Sequence, residues 1–217
     1  MRTVEWPISR RSLDEVLATL REGALVVYPT ETLYGIGLVL SAGDAGVARV
    51  RAAKRAPHDR PYLVLVASTE AAFALWSRVP PAAEALARAA WPGPLTLVGP
   101  AREGLPAGLL GAAPSGEEGG PEIPTISVRV PGDDPLRQLL GRLAEPLIST
   151  SANLAGAPAP ASWTEVDLAS LQPDLLLRTD RRLFGEPSTL LSVAEDPPRI
   201  LRAGAWRPPV ARSPSAP

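Results

Sequence analysis

Short apolar runs alternate with amphipathic segments along most of the chain. Residues 9–22 repeat leucine and valine at helical spacing and are followed by Gly23, a pattern typical of a helix and its end. Residues 24–28 are a short apolar run that Pro29 ends, as in a buried strand. The same criteria predict helices at 45–54, 69–76, 81–90, 135–143 and 163–171, and strands at 35–40, 62–66, 95–98, 125–130, 146–149, 175–177, 189–193 and 200–201. This interleaving predicts an α/β fold with a mixed sheet.

Two segments lack such periodicity. Residues 100–124 are rich in glycine, proline and acidic side chains, which predicts a mobile surface loop or a long hairpin excursion. Residues 208–217, at the end of the chain, are predicted to form a flexible tail. We therefore expect a single domain over residues 1–207, which agrees with a length of 217 residues.

The composition narrows the classes of function. Hydrophobic residues make up 45% of the chain and charged residues 21%, so a real core is expected. The net charge is −1, whereas proteins that wrap nucleic acid usually carry a marked basic excess, so an anion site must be a local concentration of positive groups. The lack of cysteine excludes disulfides and thiolate chemistry, and a single histidine, His58, disfavours a histidine-rich metal site. The sequence shows neither a membrane span nor a signal-peptide pattern, so a cytoplasmic location is expected.

Two residue types occur once each. Of 22 lysines and arginines, only Lys54 is lysine, and Asn153 is the only asparagine. A compact ammonium and a planar guanidinium are not interchangeable, so the lone lysine is a candidate for a position that arginine would not fit. The alternative explanation is that this lysine remained by chance in a chain whose composition favours arginine.

Four polar clusters adjoin predicted buried strands, where α/β sheets usually place their sites. They are the turn 29–32, the loop 54–60, the segment 149–153, and Ser188 and Thr189 with Arg202 shortly after. Arg129 adds a cation inside an otherwise apolar strand, an expensive position unless the charge has a partner. Each feature also has a purely structural interpretation: turn-forming hydroxyls, a lysine that complements a helix C-terminus, a turn with a helix cap, or an ion pair with a structural carboxylate.

Together these clusters form an ordered set of motifs. They are PTETLYGIG at 29–37, Lys54 with its loop, WPGPLT at 91–96, SVRVP at 127–131, TSANLAG at 150–156, Ser188-Thr189, and ILRAG at 200–204. This order resembles the threonylcarbamoyl-AMP synthase family (the YrdC/TsaC-like domain) over about residues 10–206. The chain is similar to the short single-domain form of the family, without the extra C-terminal domain of longer members.

The resemblance implies a YrdC-like twisted open mixed sheet with helices packed around a deep, locally positive cavity. Such enzymes condense L-threonine with bicarbonate to a carbamate, which attacks the α-phosphorus of ATP and expels pyrophosphate. By analogy, threonine would lie near Thr32, Arg129, Ser149 and Ser188. The nucleotide would lie near Lys54, Arg60, Thr125, Ser151, Asn153 and Arg202, with Lys54, Ser151 and Asn153 as the catalytic group. These side chains suit nucleotidyl transfer, which needs positioning and charge neutralisation more than a protein nucleophile.

The resemblance also implies the ligands and partners. Threonylcarbamoyl-AMP would serve the threonylcarbamoyladenosine modification of tRNA, so a tRNA-modifying transferase is an expected partner, with RNA a further one. Mg²⁺ would arrive with ATP, held mainly by phosphate oxygens and water, and no metal site of the protein's own is expected.

One position departs from the family pattern of Lys-x-Arg-Pro. Residues 54–57 are KRAP, so Ala56 stands where arginine is expected. Arg55 or Arg60 would have to reach the cavity to take its place.

Two other hypotheses remain open. One is a non-catalytic protein that binds double-stranded RNA or the ribosome, because this domain has also been linked to double-stranded RNA; a steep salt dependence of RNA affinity would favour it. The other is a relative that binds a nucleotide but handles a different carbamoyl acceptor or none. Threonine-dependent release of pyrophosphate would favour the synthase over both.

Overall fold

The structure is a computed structural model that describes residues 1–57, 61–114 and 121–207. Six helices lie in these ranges: α1 (Arg10–Arg21), α2 (Gly43–Lys54), α3 (Thr69–Phe73), α4 (Pro81–Ala90), α5 (Asp134–Leu143) and α6 (Leu168–Leu171). The strands in the same ranges are β1 (Arg2–Glu5), β2 (Val26–Pro29), β3 (Tyr34–Val39), β4 (Leu63–Leu65), β5 (Leu95–Pro100), β6 (Gly111–Pro114), β7 (Glu122–Arg129), β8 (Leu147–Ser151), β9 (Leu175–Arg178), β10 (Thr189–Ser192) and β11 (Arg199–Arg202).

The strands form one open, mixed sheet in the order β1-β9-β2-β3-β8-β4-β7-β5-β10-β11, with β6 paired to β7. The pairs β1–β9, β2–β9, β4–β7 and β5–β10 are parallel, and the remaining pairs are antiparallel. The predicted α/β class with a mixed sheet is therefore confirmed. Strand β4 lies between β8 and β7, and its Leu63 is in register with both Ser149 and Ser127.

Alternation along the strands divides the apolar residues between two cores, one on each face of the sheet. Val27 and Val128 belong to the larger core, which α2 and α4 cover. Val26, Leu65 and Leu147 belong to the smaller core, which α1 and α5 cover. Ser127, Arg129 and Ser149 alternate with residues of the larger core and so project from the face that carries α1 and α5.

Most predicted elements lie where the pattern placed them, and the helix expected at 81–90 has those bounds. The helix expected at 163–171 is instead a 3₁₀ turn at Trp163–Glu165 followed by the short helix α6. Asp167 separates the two because its side chain accepts a hydrogen bond from the backbone N–H of Ser170, which starts a new helix.

The non-periodic segment at 100–124 contains a 3₁₀ turn at Ala107–Leu109 and strand β6, which pairs antiparallel with the beginning of β7. Within the described residues it therefore forms two arms of a hairpin, the second of the two predicted alternatives, and β7 begins at Glu122 rather than at residue 125. The predicted tail at 208–217 lies outside the described residues. Within the described part of the chain, every helix is too short or too polar to span a membrane.

Candidate functional site

Polar side chains from several strands converge on a cavity of about 280 Å³. All four side chains predicted to contact threonine line it, together with Ser151 and Arg202 of the predicted nucleotide group. The described residues that line the cavity include two arginines, Arg129 and Arg202, and no carboxylate. The cavity is therefore locally positive in a chain of net charge −1, and it favours an anionic ligand.

Arg129, at the end of β7, is 4% exposed, and several acceptors surround its guanidinium. Its Nε donates to the carbonyl of Gly93 at 3.1 Å, and both terminal nitrogens donate to Thr32 Oγ1 at 3.2 Å. One terminal nitrogen also pairs with Glu31 Oε1 at 2.5 Å. The buried charge thus has the carboxylate partner that its position requires, while the same side chain lines the cavity.

The turn between β2 and β3 fixes the direction of the Thr32 hydroxyl. Thr30 Oγ1 accepts hydrogen bonds from the backbone N–H groups of Thr32 and Leu33 and donates its proton to the Leu33 carbonyl. Thr32 Oγ1 accepts from Arg129 and lies 2.9 Å from Thr30 Oγ1. Because the proton of Thr30 is directed to the Leu33 carbonyl, Thr32 is the donor in this contact, so its proton points at Thr30 and its lone pairs at Arg129.

Two of the cavity serines, Ser149 and Ser188, are each supported by a buried hydroxyl behind them. Tyr28 Oη donates to Ser149 Oγ at 2.6 Å, and Thr96 Oγ1 lies 2.8 Å from Ser188 Oγ. Arg202 donates to the Ser188 carbonyl at 2.9 Å. Burial, with a smaller contribution from the nearby charge of Arg129, lowers the pKa of Arg202. Both arginines line the cavity, so two cations face one space.

Lys54, at the end of α2, lies behind the cavity wall and is 5% exposed. Its Nζ donates to the carbonyls of Ser151 and, at 2.6 Å, Asn153, and it lies 3.5 Å from Asn153 Oδ1. Burial lowers the pKa of Lys54 from its ordinary value of 10.5 to about 8. The lone lysine is thus a buried cation that holds the loop after β8, and not an exposed charge at a helix end.

Asn153 holds the same loop from within. Its Nδ2 donates to the carbonyls of Leu154 and Ala157, at 2.8 and 2.7 Å. The backbone N–H of Ala155 donates to the Lys54 carbonyl, which closes the cluster. The single lysine and the single asparagine therefore meet in one hydrogen-bonded unit, which presents Ser151 to the cavity.

The remaining predicted nucleotide residues differ in position. Thr125 is buried on the same face of β7 as Arg129, but it lies outside the cavity lining. Arg55 is exposed, adopts a left-handed backbone with φ of 50°, and also lies outside the lining. It faces Asp167, whose pKa is lowered chiefly by hydrogen bonds to Ser170 and in small part by Arg55. Arg55 therefore does not reach the cavity, and Arg60 lies outside the described residues.

Sequence reasoning missed several lining residues. Ser127 projects into the cavity because it lies two residues before Arg129 on the same strand, and strand periodicity alone would have identified it. Tyr62 contributes an aromatic wall and is 6% exposed. It resembled an ordinary core residue in the apolar run of β4. In the described part of the chain, no three histidine, aspartate or glutamate side chains come together as a metal site.

Comparison with known sequences agrees with this architecture. The sequence model of the Sua5/YciO/YrdC family, described as "Telomere recombination", matches residues 18–204. The chain belongs to this family, which confirms the resemblance stated from its motifs.

Individual relatives are more specific. The threonylcarbamoyl-AMP synthase of Pyrococcus abyssi is 35% identical over 187 residues, or 85% of this chain and 52% of the relative. That of Stenotrophomonas maltophilia is 36% identical over 184 residues, or 82% of this chain and 89% of the relative. The crystal structure of P. abyssi Sua5 complexed with L-threonine has a TM-score of 0.79 at 31% identity, covering 94% of this chain and 57% of that one. The chain thus spans about half the length of the Pyrococcus relative.

Proposed function

We propose that the chain is a threonylcarbamoyl-AMP synthase, a nucleotidyltransferase that converts L-threonine, bicarbonate and ATP to threonylcarbamoyl-AMP and pyrophosphate. The observation that carries this proposal is the convergence of Thr32, Arg129, Ser149 and Ser188 on one cavity. Relatives named threonylcarbamoyl-AMP synthase support it, as does the homologous P. abyssi Sua5, whose crystal structure contains L-threonine. The product would enter the threonylcarbamoyladenosine modification of tRNA through a transferase.

The cavity wall suits the carboxylate of an amino acid. Arginine has no acceptor, so Arg129 and Arg202 can act toward a ligand only as donors. A carboxylate is an acceptor only, so it matches these donors and binds them more strongly than a neutral amine or a hydroxyl would. Selection for threonine over valine would then come from hydrogen bonds to the substrate hydroxyl, since a site built for a hydroxyl rejects analogues that lack it.

The chemistry requires two bond-forming steps and no covalent enzyme intermediate. The amine of threonine first bonds to the carbon of bicarbonate, with loss of water, to give a carbamate. A carbamate oxygen then attacks the α-phosphorus of ATP, and the bond to the pyrophosphate oxygen breaks. Arg129 and Arg202 face the cavity where negative charge would concentrate, and such fixed cations stabilise charge that develops in the transition state.

The nucleotide side is proposed to be the loop after β8. Ser151 lines the cavity, and Lys54 and Asn153 support its backbone from behind. The described lining has no carboxylate, so Mg²⁺ would be bound as part of the ATP substrate, through phosphate oxygens and water. Thr125 and Arg60 are proposed to contact the nucleotide as well.

Pyrophosphate release tests the proposal directly. Release from ATP should require L-threonine and bicarbonate together, and serine and valine should be poor substitutes. If ATP turns over without threonine, or if valine serves as well, then the proposed reaction is wrong. RNA affinity that falls steeply with salt, without such turnover, would favour the RNA-binding alternative.

A further inference from the structure

Tyr28 is a fully buried side chain that no proposed step uses, yet its phenol donates a hydrogen bond to a side chain that lines the cavity. It lies on β2, two strands away from Ser149 on β8, with β3 between them. Its ring crosses β3 above Gly35, where an added Cβ would come within 2.9 Å of Tyr28 Cε2 and 3.2 Å of its hydroxyl. The absence of a side chain at Gly35 thus lets the phenol reach Ser149 Oγ at 2.6 Å.

The hydrogen bond between these residues has a defined direction. The phenol donates and Ser149 Oγ accepts, so the serine must direct its own proton elsewhere. Burial raises the pKa of Tyr28, so the phenol keeps its proton across the physiological range. Ser149 lines the cavity, so a bound ligand is the partner available for its proton.

We infer that Tyr28 is a positioning residue of the substrate site, which holds the Ser149 hydroxyl so that it donates to the carboxylate of the amino-acid substrate. The inference rests on the proposed function, because it takes an amino acid as the ligand beside Ser149. It adds a preset donor to the guanidinium groups of Arg129 and Arg202. A site whose donors are oriented before binding loses less entropy when the ligand binds.

A double-mutant cycle on the full chain tests this inference, with the KM for threonine measured by pyrophosphate release. Tyr28→Phe removes only the phenol oxygen and should raise the KM for threonine roughly 2- to 10-fold, the range for one neutral hydrogen bond, with the KM for ATP unchanged. Ser149→Ala should raise the same KM, and adding Tyr28→Phe to it should cause little further change. Without the serine hydroxyl, the phenol has nothing to orient.

Tyr34→Phe is the matched control. It also removes a buried phenol oxygen, but that oxygen bonds only to the backbone of Thr179, at 3.2 and 3.0 Å. Its effect should add to that of Ser149→Ala, because the two groups share no hydrogen bond. If Tyr28→Phe does not fold, then Gly35→Ala takes its place, since the added methyl displaces the phenol from Ser149.

The possible outcomes distinguish a failure of the inference about Tyr28 from a failure of the proposed synthase function. A wild-type chain without threonine-dependent release refutes the proposed function, and the inference with it. If the wild type is active but the fold-changes in the KM for threonine caused by Tyr28→Phe and Ser149→Ala multiply in the double variant, as they should for the control pair, then the inference alone is refuted. A Tyr28→Phe variant whose KM for ATP rises as much as its KM for threonine also refutes the inference alone.

Discussion

Replacing Lys54 with methionine tests whether the lone lysine serves the cavity by holding the loop after β8. Methionine keeps most of the aliphatic length and removes the ammonium. The carbonyls of Ser151 and Asn153 then lose a charged donor inside the protein. We expect the variant to be less stable and also less active, since the loop presents Ser151 to the cavity.

The size of the stability loss follows from two opposing contributions. Hydrogen bonds that involve a charged group contribute about 1.5–3 kcal/mol each, so the two carbonyl contacts contribute a few kcal/mol. Burial of the ammonium opposes them, as the lowered pKa of about 8 shows. The net expectation is a loss of about 2 kcal/mol in the free energy of unfolding. An exposed charge at a helix end would contribute at most about 1 kcal/mol.

Urea denaturation at pH 7 measures the first effect, and pyrophosphate release measures the second. Displacement of a loop by about 1 Å costs on the order of 100-fold in rate, and Lys54→Met should lose at least that much. Lys54→Arg should also be poor, because the larger fork does not fit between the carbonyls. A Lys54→Met variant as stable as the wild type, with ATP binding abolished, would refute this account, because the ammonium would then act on the phosphates directly.

Three further predictions concern the same site. First, Lys54 has a lower pKa in the folded than in the unfolded chain, so the unfolded state binds more protons between about pH 8 and 10.5. In urea titrations, the stability of the wild type relative to Lys54→Met should therefore rise over that pH range, while the activity of the wild type falls. Second, Arg129→Met leaves Glu31 without its buried partner and should cost about 3–5 kcal/mol in calorimetric stability. Arg202→Met, which removes one hydrogen bond to a backbone carbonyl, should lose little stability and bind ATP roughly 10- to 100-fold more weakly. Third, Gly35→Ala should destabilise the fold by about 1–3 kcal/mol in urea titrations, because its methyl would overlap the ring of Tyr28.

The sequence pattern was most informative where one face of an element is buried and the other is exposed. Helix α4 repeats buried alanines at helical spacing, which fixed its bounds. Strand β1 was missed because it has a single buried residue, Val4, at the edge of the sheet. Strand β6 was missed because Gly111–Pro114 contains no β-branched or aromatic residue, and its pairing with β7 supplies what its composition lacks.

Candidate residues of the site could be named from motifs, but not the residues that hold them in place. The hydrogen bond from Tyr28 to Ser149 joins positions 121 residues apart and depends on the order β2-β3-β8, which the pattern of apolar positions does not determine. The location of Lys54 depends on a left-handed residue, Arg55, that ends α2 beside the loop after β8. In the sequence alone, that lysine was equally compatible with an exposed charge at a helix end.

The most direct test of the central claim is detection of the product itself. The purified chain is incubated with ATP, Mg²⁺, L-threonine and ¹³C-bicarbonate, and the nucleotides are analysed by mass spectrometry. We expect an adenylate that contains threonine and one ¹³C atom, formed in step with pyrophosphate and missing when threonine is replaced by valine. ATP converted to AMP without incorporation of ¹³C, or no conversion at all, would contradict the proposed function.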